Sequence, residues 1–407
     1  MPAAGSSKNS TGGLCPKRLK NVDAYLKRIV DEGKAAGAGG MIIRHDAEAY
    51  CASTGFQDLE KKIPMKNDSL YRIFSMSKTI TISAAMTLYE KALFRLHQPV
   101  ADFIPAFKNV KVAESDERGI VRLVPPKRPL TFEHLFTMTS GIPYPSGDNY
   151  SGRIMAQLSK RADKAAAAGK PWNTARMIEE AAKVPLCFHP GDRWMYGFSH
   201  DVLGGLIEII SGKTLGVYLK ETIFDPLGMS DTAFFIPQKK QSRAAKAYRL
   251  DKGGLKLTTE FGHDPASSAP PAFESGGGGL CSTMADVAKF AQMLLHNGKA
   301  GAERILSRKT IELIRTNHVD VPLLEPSFFP HMTGYGYGLG VRTMLNTAKA
   351  GLNGSPGEWA WDGMLGTYYL VDPAENMTAL FFIQLLSGIN DQLQRGFVQT
   401  VYSAIDD

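Results

Sequence analysis

Cysteine is scarce. The chain has four in 407 residues, at Cys15, Cys51, Cys187 and Cys281, with no C-x-x-C pair. That spacing argues against a zinc ribbon and offers no disulfide framework; reduced thiols in a cytoplasmic protein are expected. No apolar run reaches the length that spans a bilayer, so no membrane partner is expected. The N-terminal MPAAGSSKNSTGGLCPKRL lacks the apolar stretch of a secretory signal. H-E-x-x-H, Walker and strand-following G-x-G-x-x-G patterns are missing, so neither metal nor cofactor is expected. No segment repeats at a fixed period. A Gly-x-Ser-x-Gly elbow is also lacking: the closest stretch, Gly197-Phe198-Ser199-His200-Asp201, has no second glycine, which argues against an α/β-hydrolase.

Charge of one sign is modest too. Lys and Arg number 47 against 40 Asp and Glu, a formal net charge of +7. The basic residues are scattered (Lys17, Arg18 and Lys20; Arg161 and Lys164; Lys239 and Lys240) without interleaved aromatics, so they read as solvated faces and not as a nucleic-acid surface. What the chain does have is apolar residues, 43% of its length, enough for a large core without covalent staples.

The spacing of those residues predicts an order of elements. Residues 1–15 are small and polar and read as a disordered N-terminus. Leu19, Val22, Tyr25, Leu26, Ile29 and Val30 recur at three and four, predicting an amphipathic helix to about Gly37. Two short strands follow, from Gly39 to Arg44 and from Ala47 to Thr54. Residues 75–94 form a helix apolar on most sides, as expected of a central one. Helical patterns then dominate: Phe132 to Thr139, Met155 to Ala168, Thr174 to Lys183 and Val202 to Ser211. After the glycine run Gly276–Gly279, Thr283 to Asp286 resembles a capping box. Strands are predicted at Gly336–Thr343, Trp359–Gly363, Gly366–Val371 and Met377–Gln384, and a last helix at about Asp391–Ser403.

The economical arrangement is an α/β (α+β) fold. Residues 16–98 and 271–407 would build one antiparallel sheet flanked by helices. Residues 99–270 would form an inserted, mainly helical domain, with a ligand cleft between the two.

Three motifs carry chemistry. Ser75-Met76-Ser77-Lys78 is the only Ser-x-x-Lys. Positions i and i+3 share a helical face, so the hydroxyl and the amine can meet inside the protein. A lysine on so apolar a helix is desolvated, which favours its neutral form and lets it accept the serine proton; an ordinary lysine would instead snorkel to solvent. Tyr196 lies between the Pro190-Gly191 turn and a helix; the bland reading is core packing. Trp361-Asp362-Gly363-Met364 stands at a late strand edge, where Gly363 permits close approach to the backbone, or simply makes a turn. Histidine triads are weakly supported, because His189 and His200 read as turn and helix residues.

In this order the motifs resemble the serine β-lactamase and penicillin-binding protein superfamily. More closely, the chain is similar to the class C β-lactamase-related carboxylesterases, the family VIII esterases. The similarity runs from about residue 20 to residue 400. It takes in Tyr71-Arg72-Ile73-Phe74, the stretch from Leu130 to Gly141, Ile223 to Met229, and Ser275 to Leu280. The resemblance implies a β-lactamase/transpeptidase-like fold, Ser75 as nucleophile, Lys78 as general base and Tyr196 as proton shuttle. It also implies an oxyanion hole from the backbone N–H groups of Ser75 and Met364.

Two positions depart from the lactamase pattern. Trp361 stands where those enzymes carry Lys or His, and Phe198 where they carry Asn. With Gly363, these residues are expected to line a site for a small neutral ester. An acidic Asp362 would further disfavour anionic substrates, and the long segment from Tyr144 to Lys183 would shape the acyl pocket. The chain is therefore expected to be a carboxylesterase that cleaves short-to-medium acyl esters through an acyl-enzyme. A β-lactamase, a D-amino peptidase and an acyltransferase remain as alternatives on the same core, and a binding module on this fold as a rival of another class.

Overall fold

The computed structural model describes residues 11–259, 269–320, 323–324 and 332–407. Its centre is an eight-stranded sheet. The strands, in chain order, are β1 (Gly37–Arg44), β2 (Ala47–Asp58), β3 (Ile63–Pro64), β4 (Tyr335–Tyr337), β5 (Arg342–Met344), β6 (Trp359–Asp362), β7 (Tyr368–Asp372) and β8 (Met377–Phe382). They lie in the order β4-β5-β6-β7-β8-β1-β2-β3, with every neighbouring pair antiparallel. The antiparallel sheet flanked by helices is as expected.

Both faces of the sheet are covered, and β8 shows why. Successive side chains point to opposite faces, and here both sets are apolar. Ala379 and Phe381 join the cluster under the two terminal helices, while Leu380 and Phe382 join the larger cluster on the other side. The terminal helices, Pro16–Asp31 and Asn390–Tyr402, pack together on the first face, where Phe381 stacks on Phe397 at 5.2 Å between ring centroids. Leu19, Val22, Tyr25, Leu26 and Ile29 form the buried stripe of the first helix, at the spacing the sequence shows, and Pro16 opens it.

The opposite face receives the helix Met284–Leu295, capped by Thr283 accepting from the Asp286 N–H. Beyond lies the helix Ser77–Glu90, buried at every residue from Ser77 to Leu88. It packs against Ser199–Ser211, which belongs to a run of helices that also includes Phe132–Phe136, Tyr150–Ala167 and Thr174–Ala181.

Several expectations need correction. Residues 1–10 lie outside the described residues, but residues 11–15 are docked: Leu14 is buried and bridges to Ile405, and the Cys15 N–H donates to the Ala404 carbonyl. A single strand over Gly336–Thr343 is in fact a hairpin, β4 turning into β5. Gly340 takes φ +75° at the bend, a conformation only glycine adopts freely. The stretch 99–270 also contains two hairpins, Val112–Ser115 with Val121–Val124 and Tyr248–Asp251 with Gly254–Leu257. The second is joined to the sheet side through parallel pairing of Tyr248 with Leu385. Among the described residues, no single helix is long and apolar enough to cross a membrane.

Candidate active site

Ser75 sits in a single 3-10 turn, Phe74–Met76, that runs directly into the buried helix Ser77–Glu90. Phe74, immediately before it, has φ +41°. An aromatic residue in that region is strained, and such strain persists only where the surroundings enforce it. Here the Phe74 ring is buried against Ala247 and Leu365.

One turn on, Lys78 has no exposure to solvent. Its Nζ lies 3.1 Å from Ser75 Oγ, 3.0 Å from Tyr144 Oη and 2.5 Å from the Gly277 carbonyl oxygen. Burial drives the amine pKa from 10.5 down to about 7, although the charges of Asp201 and Asp362 oppose the fall. A neutral amine has two N–H donors and one lone pair. The carbonyl must receive one N–H and Tyr144 Oη can take the other, which leaves the lone pair for the Ser75 hydroxyl proton. The three contacts thus suit a neutral base.

Tyr196 stands across from this pair. Its ring centroid is 4.6 Å from Lys78 Nζ, its phenol hydrogen bonds with Ser75, and the indole N–H of Trp361 donates to its oxygen at 3.3 Å. Burial raises the Tyr196 pKa, and the bonds from Ser75 and Trp361 only moderate the rise. At neutral pH the phenol therefore keeps its proton. The amine can serve as base, and the phenol as a proton carrier.

Trp361 is 2% exposed, held between the rings of Tyr196 and Tyr337. It reads Tyr196 from behind instead of presenting open apolar surface. Phe198 is partly exposed, its ring 6.3 Å from Tyr144 and 6.0 Å from Phe273. Gly363 is tight for another reason than substrate approach: a Cβ there would collide with Thr367 Oγ1 and with the Ile73 carbonyl. The bare Cα lets β6 and its turn press against the backbone just before Ser75. Met364 follows at the exposed tip of that turn. Asp362 forms an ion pair with the buried Arg342, Oδ1 to Nη1 at 2.6 Å, so its charge is paired there. Arg342 in turn lies over the rings of Trp361 and Tyr368.

The sequence reading missed three participants. Tyr144 follows the Ser140-Gly141-Ile142-Pro143 turn and reaches Lys78 across 66 positions. Asp201, in the first turn of Ser199–Ser211, is buried and accepts from Ser275 Oγ at 2.5 Å and from the Gly277 N–H at 3.2 Å. Burial raises its pKa, and Lys78 opposes the rise. Gly277 links the two, its N–H on Asp201 and its carbonyl on Lys78; a Cβ there would collide with the Asp201 carboxylate. A glycine run beside a carboxylate on a later-packed helix was the only available signal. The histidines are engaged elsewhere: His200 lies against the Phe136 carbonyl, with its pKa lowered to about 3 by burial, and His189 pairs with Glu114.

A partly exposed serine, a buried lysine one turn on and a tyrosine facing both thus meet at the head of a central helix beneath an antiparallel sheet, and comparison with known proteins gives the family. Residues 22–398 match the beta-lactamase family, and the chain belongs to it. An uncharacterized protein of Mycobacterium tuberculosis is 32% identical over 371 residues, covering 90% of each chain. Esterase EstB of Burkholderia gladioli is 26% identical over 375 residues, 88% of each. Among solved structures, EstCE1, described as a hydrolase with promiscuous acyltransferase activity, superposes with a TM-score of 0.77 at 22% identity, covering 96% of this chain and 98% of that one.

Proposed function

We propose that the protein is a serine carboxylesterase that cleaves neutral esters through an acyl-enzyme on Ser75. The observation that carries this reading is the contact of Lys78, fully buried and with its pKa lowered by burial to about 7, with the Ser75 hydroxyl 3.1 Å away. As Ser75 Oγ bonds to the ester carbonyl carbon, its proton passes to Lys78 Nζ. The oxyanion that forms would be held by the N–H groups of Ser75 and Met364, each such donor being worth ~3 kcal/mol in the transition state. The C–O bond to the alcohol then breaks. Tyr196 gives its proton to the leaving oxygen and recovers one from the Lys78 ammonium. Water attacks the acyl-Ser75 carbonyl, yields its proton to the same base, and releases the acid as Ser75 regains its hydrogen.

The preference for esters over lactams rests on Phe198, a partly exposed ring where a substrate amide would need a polar partner, and on position 361, where a buried indole turned to Tyr196 leaves no Lys or His to meet a substrate carboxylate. The name of EstB and the description of EstCE1 favour the same activity. Rates on p-nitrophenyl acetate and butyrate beside nitrocefin test it. Faster ester turnover is expected, and faster turnover of the lactam would overturn the substrate assignment. Adding an alcohol acceptor to the same assay reveals any acyltransferase component as a transfer product.

A further inference from the structure

Two cavities border the neighbours of Ser75, one walled by Phe74, the residue before it, and the other by Tyr196, whose phenol hydrogen bonds with it; among the described residues no wall residue is common to both. One, about 400 Å³, is bounded by Phe74, Trp172, Met177, Phe234, Phe273 and Gly278. The other, about 460 Å³, is bounded by Pro143, Tyr144, Tyr150, Phe188, Trp194 and Tyr196. Each is the size of an ordinary small-molecule site. Phe198 stands between them, its ring near Tyr144 on one side and Phe273 on the other.

The path of the proton tells the cavities apart, on the hydrolase reading above. The leaving oxygen takes its proton from Tyr196, so the alcohol must depart along the wall that carries this phenol. The acyl group then faces the opposite way, past Phe74 and Gly278. We infer that the cavity walled by Trp172, Phe234 and Phe273 is the acyl site, and that it selects esters of extended or aromatic apolar acids over acetates.

The wall at Trp172 is braced by two arginines. The guanidinium groups of Arg161 and Arg176 each lie 5.4 Å from the indole. Both are anchored on Glu180, at 2.9 and 3.1 Å, together with Lys183 at 2.7 Å. Glu180 is 3% exposed and gathers all three cations. These contacts favour the observed position of the ring, where it bounds the acyl chain and offers it a flat apolar surface. Among the described wall residues only Arg72 and Asp163 are charged. An acetyl group would leave most of this cavity unfilled. Each methylene added to the acyl chain should raise kcat/KM by about fourfold until the space is filled.

The test is two substrate series on the whole chain. In the first the leaving group is constant, as in p-nitrophenyl acetate through decanoate, with the phenylacetate beside them. In the second the acyl group is constant, as in phenyl and 1-naphthyl acetate. The wild-type protein should prefer octanoate and phenylacetate to acetate. Trp172→Ala should cut the octanoate-to-acetate ratio by about tenfold without reordering the second series, and Phe273→Ala should act in the same direction. Circular dichroism establishes that both variants are folded. Unchanged ratios in both folded variants would overturn the inference, as would a Trp172→Ala effect confined to the leaving-group series. A wild-type protein inert to every ester would remove the hydrolase reading as well.

Discussion

The pH dependence of turnover follows from the burial of Lys78. On the proposed mechanism the amine must be neutral to accept the Ser75 proton, and its pKa is brought from 10.5 to about 7. At pH 6 only about a tenth of the molecules would hold it neutral, and at pH 8 about nine tenths, so kcat/KM should rise by about tenfold over that interval and then level. Stopped-time assays with p-nitrophenyl butyrate in a constant-ionic-strength buffer series read this directly. The same displacement acts on stability. Between about pH 7 and 10.5 the unfolded chain holds the Lys78 proton and the folded one does not, so this group's contribution to stability rises with pH. At pH 7 and below, the buried amine costs folding on the order of 5 kcal/mol relative to an exposed lysine. Lys78→Met, similar in length and without charge, should therefore be inactive but more stable than wild type in urea at pH 7, with the gap closing towards pH 10. A rate that keeps rising beyond pH 9 would show an ordinary lysine and refute the reasoning. So would a Lys78→Met gap that does not change with pH.

Three other perturbations have definite outcomes. Trp361→Phe keeps a ring but removes the N–H that donates to Tyr196; kcat should fall by about tenfold, the worth of roughly one hydrogen bond, with little change in thermal midpoint. Asp362→Ala leaves Arg342 buried without its carboxylate, and chemical denaturation should show a loss of about 3–5 kcal/mol. Asp201→Asn removes a charge that holds the Lys78 pKa up, so the acid limb of the rate profile should move to lower pH; a limb displaced upward would contradict that sign.

Local pattern made much of the architecture readable. The stripe from Leu19 to Ile29 and the apolar run after Ser77 declare themselves by spacing alone, because burial on one face or on all faces leaves a different period. The meeting of Ser75, Lys78 and Tyr196 was readable as a resemblance of three ordered motifs. What stayed hidden depends on contacts distant in sequence. Nothing near Gly277 shows that its carbonyl will meet Lys78, nor does Asp201 reveal the glycine it holds. Asp362 reads as a charge near the cleft until Arg342 of the neighbouring strand is placed beside it. The β4–β5 hairpin reads as one strand in the sequence because Gly338, Leu339 and Gly340 carry no polar turn signature; Gly340, with its positive φ, makes the bend.

The most direct test concerns the Ser75 hydroxyl itself. Intact-mass analysis after exposure to a fluorophosphonate probe at pH 8, with peptide mapping of the adduct, should give one modification, on Ser75, and none in Ser75→Ala. A wild-type protein that stays unlabelled, or an adduct that persists in Ser75→Ala, would contradict an activated serine in this cleft.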